Sequence, residues 1–201
     1  MNLKQFLYQK FIEGRKPWSI TSDIVLLGLL AMLLIPATRS ILLSGVAVAR
    51  TWITNPEIPE NKRVALGPLS LDCKLIDSQG IEITFGSLKG EVIFLNQWAT
   101  WCPPCRAEMP AIERLYKEFG TKVKFVLLAS EDPQKVRQFI EKEGYTFPIY
   151  YGTVNGAELV SRSIPSTAII DRQGKIAVQR KGAFNWSSRK IRSLLQKLSA
   201  L

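Results

Sequence analysis

The chain has 201 residues, 46% of them hydrophobic and 22% charged, which allows a packed core and argues against wholesale disorder. It contains no histidine, which excludes Ser-His-Asp and Cys-His catalysis, His-containing zinc sites and the C-x-x-C-H haem attachment. Three cysteines are too few for a disulfide scaffold or a four-thiolate metal site, and the net charge of +10 comes without any nucleic-acid-binding motif, so neither a metal nor a nucleic acid is expected.

Residues 1–18 are basic and amphipathic, with Lys4, Lys10, Arg15 and Lys16 set against Glu13 and an interfacial aromatic, Trp18, at the end. Residues 24–38 carry no charge; extended to 19–40, with Asp23 at one edge and Arg39 at the other, the segment is long enough for a single transmembrane anchor. A cleaved signal peptide fits less well, because the Ala47-Val48-Ala49 triplet lies too far beyond the apolar run. A buried helix of a soluble domain is the third reading. Residues 41–49 are apolar but too short to span, and suit the membrane interface. Residues 51–70 read as a linker, broken by Asn55-Pro56, Pro59 and Gly67-Pro68, so the expected division is 1–18, 19–40, 41–67 and a folded domain over 68–201.

Within that domain strands and helices alternate. Residues 71–76 and 81–85 read as a hairpin around Asp77-Ser78-Gln79-Gly80, and residues 92–98 (VIFLNQW) as a buried strand. Residues 102–119 read as a helix, with Met109, Ile112, Leu115, Tyr116 and Phe119 at spacings of three and four. A buried strand at 123–129, a helix at 133–143 opened by Pro133 and closed by Gly144, and a short strand at 147–151 follow. A second hairpin spans 167–171 and 175–180, and a helix covers 187–201. The order predicts an α/β fold with a mixed sheet. From Arg172 to Lys197 there are eight basic residues and no acidic one, which a solvated helix face and hairpin would explain.

The strongest chemical signal is Cys102-Pro103-Pro104-Cys105, placed after a buried strand and at the start of a helix. Two thiols at that spacing read as a redox pair. A thiolate at a helix N-terminus faces unpaired N–H groups, which lower its pKa, and a partner one turn further in can resolve a mixed disulfide. The two prolines cost no helical hydrogen bond there, because first-turn N–H groups have no intrahelical partner. An inert cysteine pair and half of a zinc site are the alternatives. Cys73 is the odd thiol, expected in the core on the first strand.

The block Trp98-Ala99-Thr100-Trp101-Cys102-Pro103-Pro104-Cys105-Arg106-Ala107-Glu108-Met109-Pro110 resembles the active site of the TlpA-like and ResA-like thioredoxin-fold proteins. Pro110 resembles the proline of their active-site helix, Ile164-Pro165-Ser166-Thr167 their cis-proline loop, and Ile170-Asp171-Arg172-Gln173-Gly174-Lys175 the hairpin after it. The resemblance covers roughly residues 68–199 and implies a thioredoxin-like fold, a central mixed sheet flanked by helices, behind an N-terminal transmembrane helix. It implies that Cys102 is the exposed nucleophile and Cys105 the more buried resolving thiol. Trp101 would shield the face of the site, and Trp101, Pro103, Pro104, Ile164 and Pro165 would meet the client. Plain thioredoxins carry a buried acid six residues before the first cysteine, where this chain has Asn96, which cannot titrate. The matching proton-handling role falls to Glu108, unless that residue is only a solvated helix glutamate.

The resemblance further implies a thiol–disulfide oxidoreductase that needs no cofactor beyond its own dithiol. It would be a single-pass monomer of the bacterial inner membrane with its C-terminal domain in the periplasm or cell exterior. Its clients would be disulfide-bearing envelope proteins, as in cytochrome c maturation, and its electrons would come from a membrane thiol carrier. A disulfide oxidase of the same fold, a peptide-binding module without turnover and a peroxidase are the alternatives. The missing Pro-x-x-x-Thr motif before Cys102 speaks against the peroxidase.

Overall fold

The computed structural model describes residues 21–28 and 56–200. Residues 21–28 are α-helical, with Ile24, Val25, Leu26 and Leu27 exposed. Among the described residues no helix is long and apolar enough to cross a membrane. The expected segment 1–18, most of the anchor over 19–40, and residues 41–55 lie outside the described residues.

The second unit is built on one seven-stranded mixed sheet. Its strands are β1 (Lys74–Asp77), β2 (Glu82–Thr84), β3 (Ile93–Trp98), β4 (Lys124–Ala129), β5 (Ile149–Gly152), β6 (Ser166–Ile170) and β7 (Ile176–Lys181). They lie in the order β2-β1-β5-β4-β3-β6-β7, with β3/β4 and β4/β5 parallel and the other pairs antiparallel. A short helix, α1 (Pro68–Leu71), precedes β1; α2 (Pro103–Phe119), α3 (Pro133–Glu143) and α4 (Arg189–Ser199) are the long ones. β3 and β4 are buried almost throughout because both faces of the sheet centre are covered.

The period of two divides β3 between two cores. Phe94 and Trp98 face a cluster made with Met109, Ile112 and Leu115 of α2, Val136 of α3 and Leu195 of α4. Ile93 and Leu95 face the other way, toward Leu75, Phe85 and Leu128. α2 and α3 occupy the expected stretches, α2 with Cys102 as its N-cap rather than its first residue. Gly144 ends α3 at φ 71°, a left-handed conformation that glycine takes without steric penalty, and its N–H closes on the carbonyls of Ile140 and Glu141.

Three local expectations are corrected. Residues 68–71 are helical and Phe85–Leu88 form a 3-10 turn, so the first hairpin shrinks to β1 and β2. Pro68 at the first helical position favours the helix over the strand. Cys73 therefore stands just before β1 rather than on it; it is buried, its Sγ donating to the Leu69 carbonyl at 3.0 Å and accepting the Asn155 N–H at 3.2 Å.

The stretch read as a linker departs from that reading beyond Pro56. Glu57 bridges Val178 and Ala65 bridges Lys175, with the Ile58 N–H donating to Ala177 and the Ile176 N–H to Val64. The edge of β7 thus finds partners for its backbone groups in a segment whose prolines had masked any strand pattern. Arg63 pins the segment, donating to Asp171 at 3.0 Å and to Glu57 at 3.2 Å.

Candidate active site

The site lies where β3 runs into α2. Cys102 caps α2, and its Sγ accepts the Cys105 N–H at 3.3 Å, one of the donors that the first helical turn leaves unpaired. Cys102 and Cys105 are joined in a disulfide with their Cα atoms 5.3 Å apart. Cys105 is fully buried, as expected of a resolving thiol. Cys102 is not the exposed residue that the sequence leads one to expect: in this oxidised form it is 3% exposed, because its sulfur turns inward onto Cys105. Pro103 and Pro104 are exposed on the outer side of the turn.

The Ile164–Pro165 peptide is cis, as the loop motif implied. Pro165 is buried and Ile164 half-buried. Trp101 stands outside the core, directly before Cys102. It is 70% exposed and stands at the rim of a cavity of about 240 Å³ that it shares with Gln97, Trp98, Ala99, Val160 and Ile164. The loop before Cys102 is clamped from β4's end: Glu131 accepts the Thr100 N–H at 2.5 Å and the Thr100 hydroxyl at 2.9 Å. That clamp was not visible in the sequence, since 31 residues separate the partners.

Glu108 is no solvated helix residue. It lies one turn beyond Cys105 on α2 and is 2% exposed. Its Oε1 accepts from Asn96 Nδ2 at 2.7 Å. Its Oε2 accepts from Trp186 Nε1 at 2.9 Å and from the Phe184 N–H at 3.2 Å. Burial pushes its carboxyl up to about 7, against the three donated hydrogen bonds that favour the ion. A buried acid with that value can take or release a proton near neutral pH.

Asn96 comes from the inner face of β3, and its amide also donates to Thr167 Oγ1 on β6 at 2.8 Å. Trp186 is fully buried and packs edge-on to Phe94 at 5.2 Å. The resemblance marked Asn96 only as a position that cannot titrate and Thr167 only as part of the cis-proline loop; their bonds to each other and to Glu108, and the roles of Phe184 and Trp186, were missed. A polar residue in the middle of VIFLNQW was a second signal, because a buried amide demands a partner.

The family model described as Redoxin matches residues 57–198. The thiol-disulfide oxidoreductase ResA of Geobacillus kaustophilus is 32% identical over 151 residues, 71% of this chain and 84% of the relative. ResA of Halalkalibacterium halodurans is 30% identical over 138 residues, 66% of this chain and 77% of the relative. The thioredoxin-like protein YneN of Bacillus subtilis is 36% identical over 115 residues, 55% and 68% of the two chains. Among solved structures, a DsbF homologue from Corynebacterium diphtheriae aligns with a TM-score of 0.54 at 18% identity, covering 72% of this chain and 91% of its own. The thioredoxin domain of a thiol-disulfide oxidoreductase from Bacteroides vulgatus aligns with a TM-score of 0.53 at 18% identity, covering 67% and 97%. These two support the thioredoxin-like fold alone.

Proposed function

The chain belongs to the Redoxin family and is a ResA-like thiol–disulfide oxidoreductase, and from that premise we propose that it works on the outer face of a bacterial inner membrane, tethered by residues 19–40, as a reductant of envelope-protein disulfides. The observation that carries the chemistry is the Cys102–Cys105 pair at the N-terminus of α2 with a buried, near-neutral Glu108 one turn behind it.

In the reduced protein, Cys102 attacks a client sulfur as the thiolate, stabilised by the helix N-terminus. One client thiol leaves. Cys105, its proton passing to Glu108, attacks Cys102 and releases the second client thiol. The first client sulfur leaves as a thiolate and takes from solvent the equivalent of the proton that Cys102 gave up; the second is protonated as Glu108 releases the proton it took from Cys105 and returns to the carboxylate. The net transfer to the client is two electrons and two protons, and the protein is left with the Cys102–Cys105 disulfide. A membrane thiol carrier returns it to the dithiol, so the dithiol is the whole redox apparatus of the cycle and no further cofactor takes part. The client would dock on exposed Trp101, Pro103 and Pro104 and on the cis-proline loop of Ile164 and Pro165, Trp101 and Ile164 lining one cavity.

The tether is supported by the uncharged run over residues 24–38 and by the exposed apolar side chains of the helical stretch 21–28. Anchoring would hold donor and clients at one surface and raise their effective concentration. The reducing direction, and apocytochrome c as a client class, are what the resemblance to the ResA-like group implies; the ResA relatives support thiol–disulfide oxidoreductase chemistry. The protein would act as a monomer.

The reduction potential tests the direction. Equilibrating the chain with glutathione and with a lower-potential dithiol buffer should give a value near or below that of thioredoxin, ~ −270 mV. A value near that of DsbA, ~ −120 mV, would replace the reductase by an oxidase. A Cys105→Ser chain should accumulate mixed disulfides with its clients in envelope extracts; recovery of no covalent adduct would count against the dithiol cycle.

A further inference from the structure

Asn96 is fully buried and spends both amide protons on two groups that no stretch of sequence connects: Glu108 on α2 at 2.7 Å and Thr167 on β6 at 2.8 Å. Thr167 stands two residues after Pro165, so the amide joins the carboxyl behind the disulfide to the strand that carries the cis-proline loop. We propose that Asn96 is a positioning residue of the reaction: as a pure donor toward Glu108 it favours the ionised carboxylate, and through Thr167 it holds that carboxylate in register with the client-binding loop. This rests on the proton-handling role of Glu108 proposed above.

The physical case is one of donor and acceptor count. An ionised carboxylate only accepts, and all three groups that reach Glu108 donate: Asn96, Trp186 and the Phe184 N–H. Such bonds to a charged group favour the charged form. No charged side chain lies on β3, on β6 or in residues 182–188, and the disulfide has no proton to give. On the Phe184 side, the Arg180 guanidinium lies over the Phe184 ring at 5.1 Å. The working range of Glu108 is therefore set by burial against three neutral donors, and Asn96 is the one of them that also touches β6.

A second consequence concerns residue type. An aspartate at position 96 would bring a second carboxyl within hydrogen-bond reach of Glu108, and two such acids cannot both ionise. Exchanging the pair is different. With Asn96→Asp and Glu108→Gln together, the glutamine Oε1 can accept from Trp186 and Phe184 while its Nε2 donates to the new carboxylate. The Thr167 hydroxyl turns round to donate as well. Every bond of the network is then kept with the acid moved from α2 to β3.

The test uses the oxidised full chain labelled with ¹³C at glutamate and aspartate carboxyls, with the Glu108 resonance assigned by its loss in Glu108→Gln. Asn96→Ala should raise the Glu108 midpoint by about one pH unit, the worth of a hydrogen bond to a charged acceptor. Thr167→Val, which keeps shape and core packing, should raise it by less, and decides the matter if Asn96→Ala does not fold. Asn96→Asp alone should give two coupled titrations; the exchanged pair should give one, now on the aspartate. The exchanged chain should also regain a pH limb in insulin reduction that Glu108→Gln lacks. A Glu108 midpoint unmoved in Asn96→Ala and Thr167→Val would overturn the role of Asn96 while leaving that of Glu108 intact. Insulin reduction whose pH profile is the same with and without Glu108 would overturn the Glu108 reading itself, and this one with it.

Discussion

The two halves of α2, on either side of Pro110, each bury a glutamate, and the two carboxyls are driven in opposite directions. Glu108 in the first half is pushed up to about 7 by burial that three neutral donors do not offset. Burial pushes Glu113 in the second half upward too, but there it loses to the Thr146 hydroxyl and N–H and to Lys117 Nζ at 3.2 Å, and the carboxyl is held below the ordinary carboxylate range. The lesson is that burial alone does not make a proton-handling acid. One more cation and a shallower site turn the same residue type, on the same helix, into a structural tie to the segment before β5.

The largest effect expected belongs to the first half. Cys102→Ser or Cys105→Ser should leave no measurable insulin reduction while the circular dichroism of the fold persists, because the thiolate is the nucleophile and both sulfurs are needed for release. Glu108→Gln should lower turnover by about a hundredfold at neutral pH and flatten the pH profile there.

The same two glutamates should part in stability. Glu108 has a folded pKa raised from about 4.5 to about 7, so its contribution falls as pH rises between those values. Denaturant titration of the native chain at pH 5 and pH 8 should show that loss, on the order of 3 kcal/mol at most, and Glu108→Gln should abolish it. Glu113 has the opposite sign. Its lowered pKa stabilises the fold above the unfolded carboxylate value, and that stability drains away as pH falls through the lowered one. Glu113→Gln should cost about 1 kcal/mol at pH 7, screened by the solvent that reaches this carboxyl, and less at pH 3, with the pH profile of insulin reduction unchanged. Should Glu113→Gln move that profile, the division of the helix into a chemical and a structural half would be wrong. The smallest effect is expected of Lys117→Ala, at about 0.5 kcal/mol or less, since that lysine is exposed.

The cysteines make a parallel case. Cys73, Cys102 and Cys105 are all buried, so exposure does not separate the redox pair from the odd thiol. Spacing and helix position do, and both are written locally: Cys102-Pro103-Pro104-Cys105 at the mouth of an amphipathic helix was readable before any fold was known. So were the extents of α2 and α3, where proline starts, a glycine stop and apolar spacing agree. Misreadings fell where local signals competed. Residues 68–71, read as the end of the linker and the first residue of a strand, form a short helix started by Pro68, and the proline-broken stretch beyond Pro56 hid a segment laid against β7.

By itself the sequence determined the redox pair, the helix that carries it and the alternation of strands and helices, because each depends on residues within a turn or two of one another; the cis-proline came from the family resemblance. Only the tertiary structure decided what Glu108 is. Its donors arrive from 12, 76 and 78 residues away along the chain, on β3 and on the segment between β7 and α4. A carboxyl's proton affinity is the sum of the water it loses and the dipoles it gains, and neither exists until the sheet and helices have closed around it.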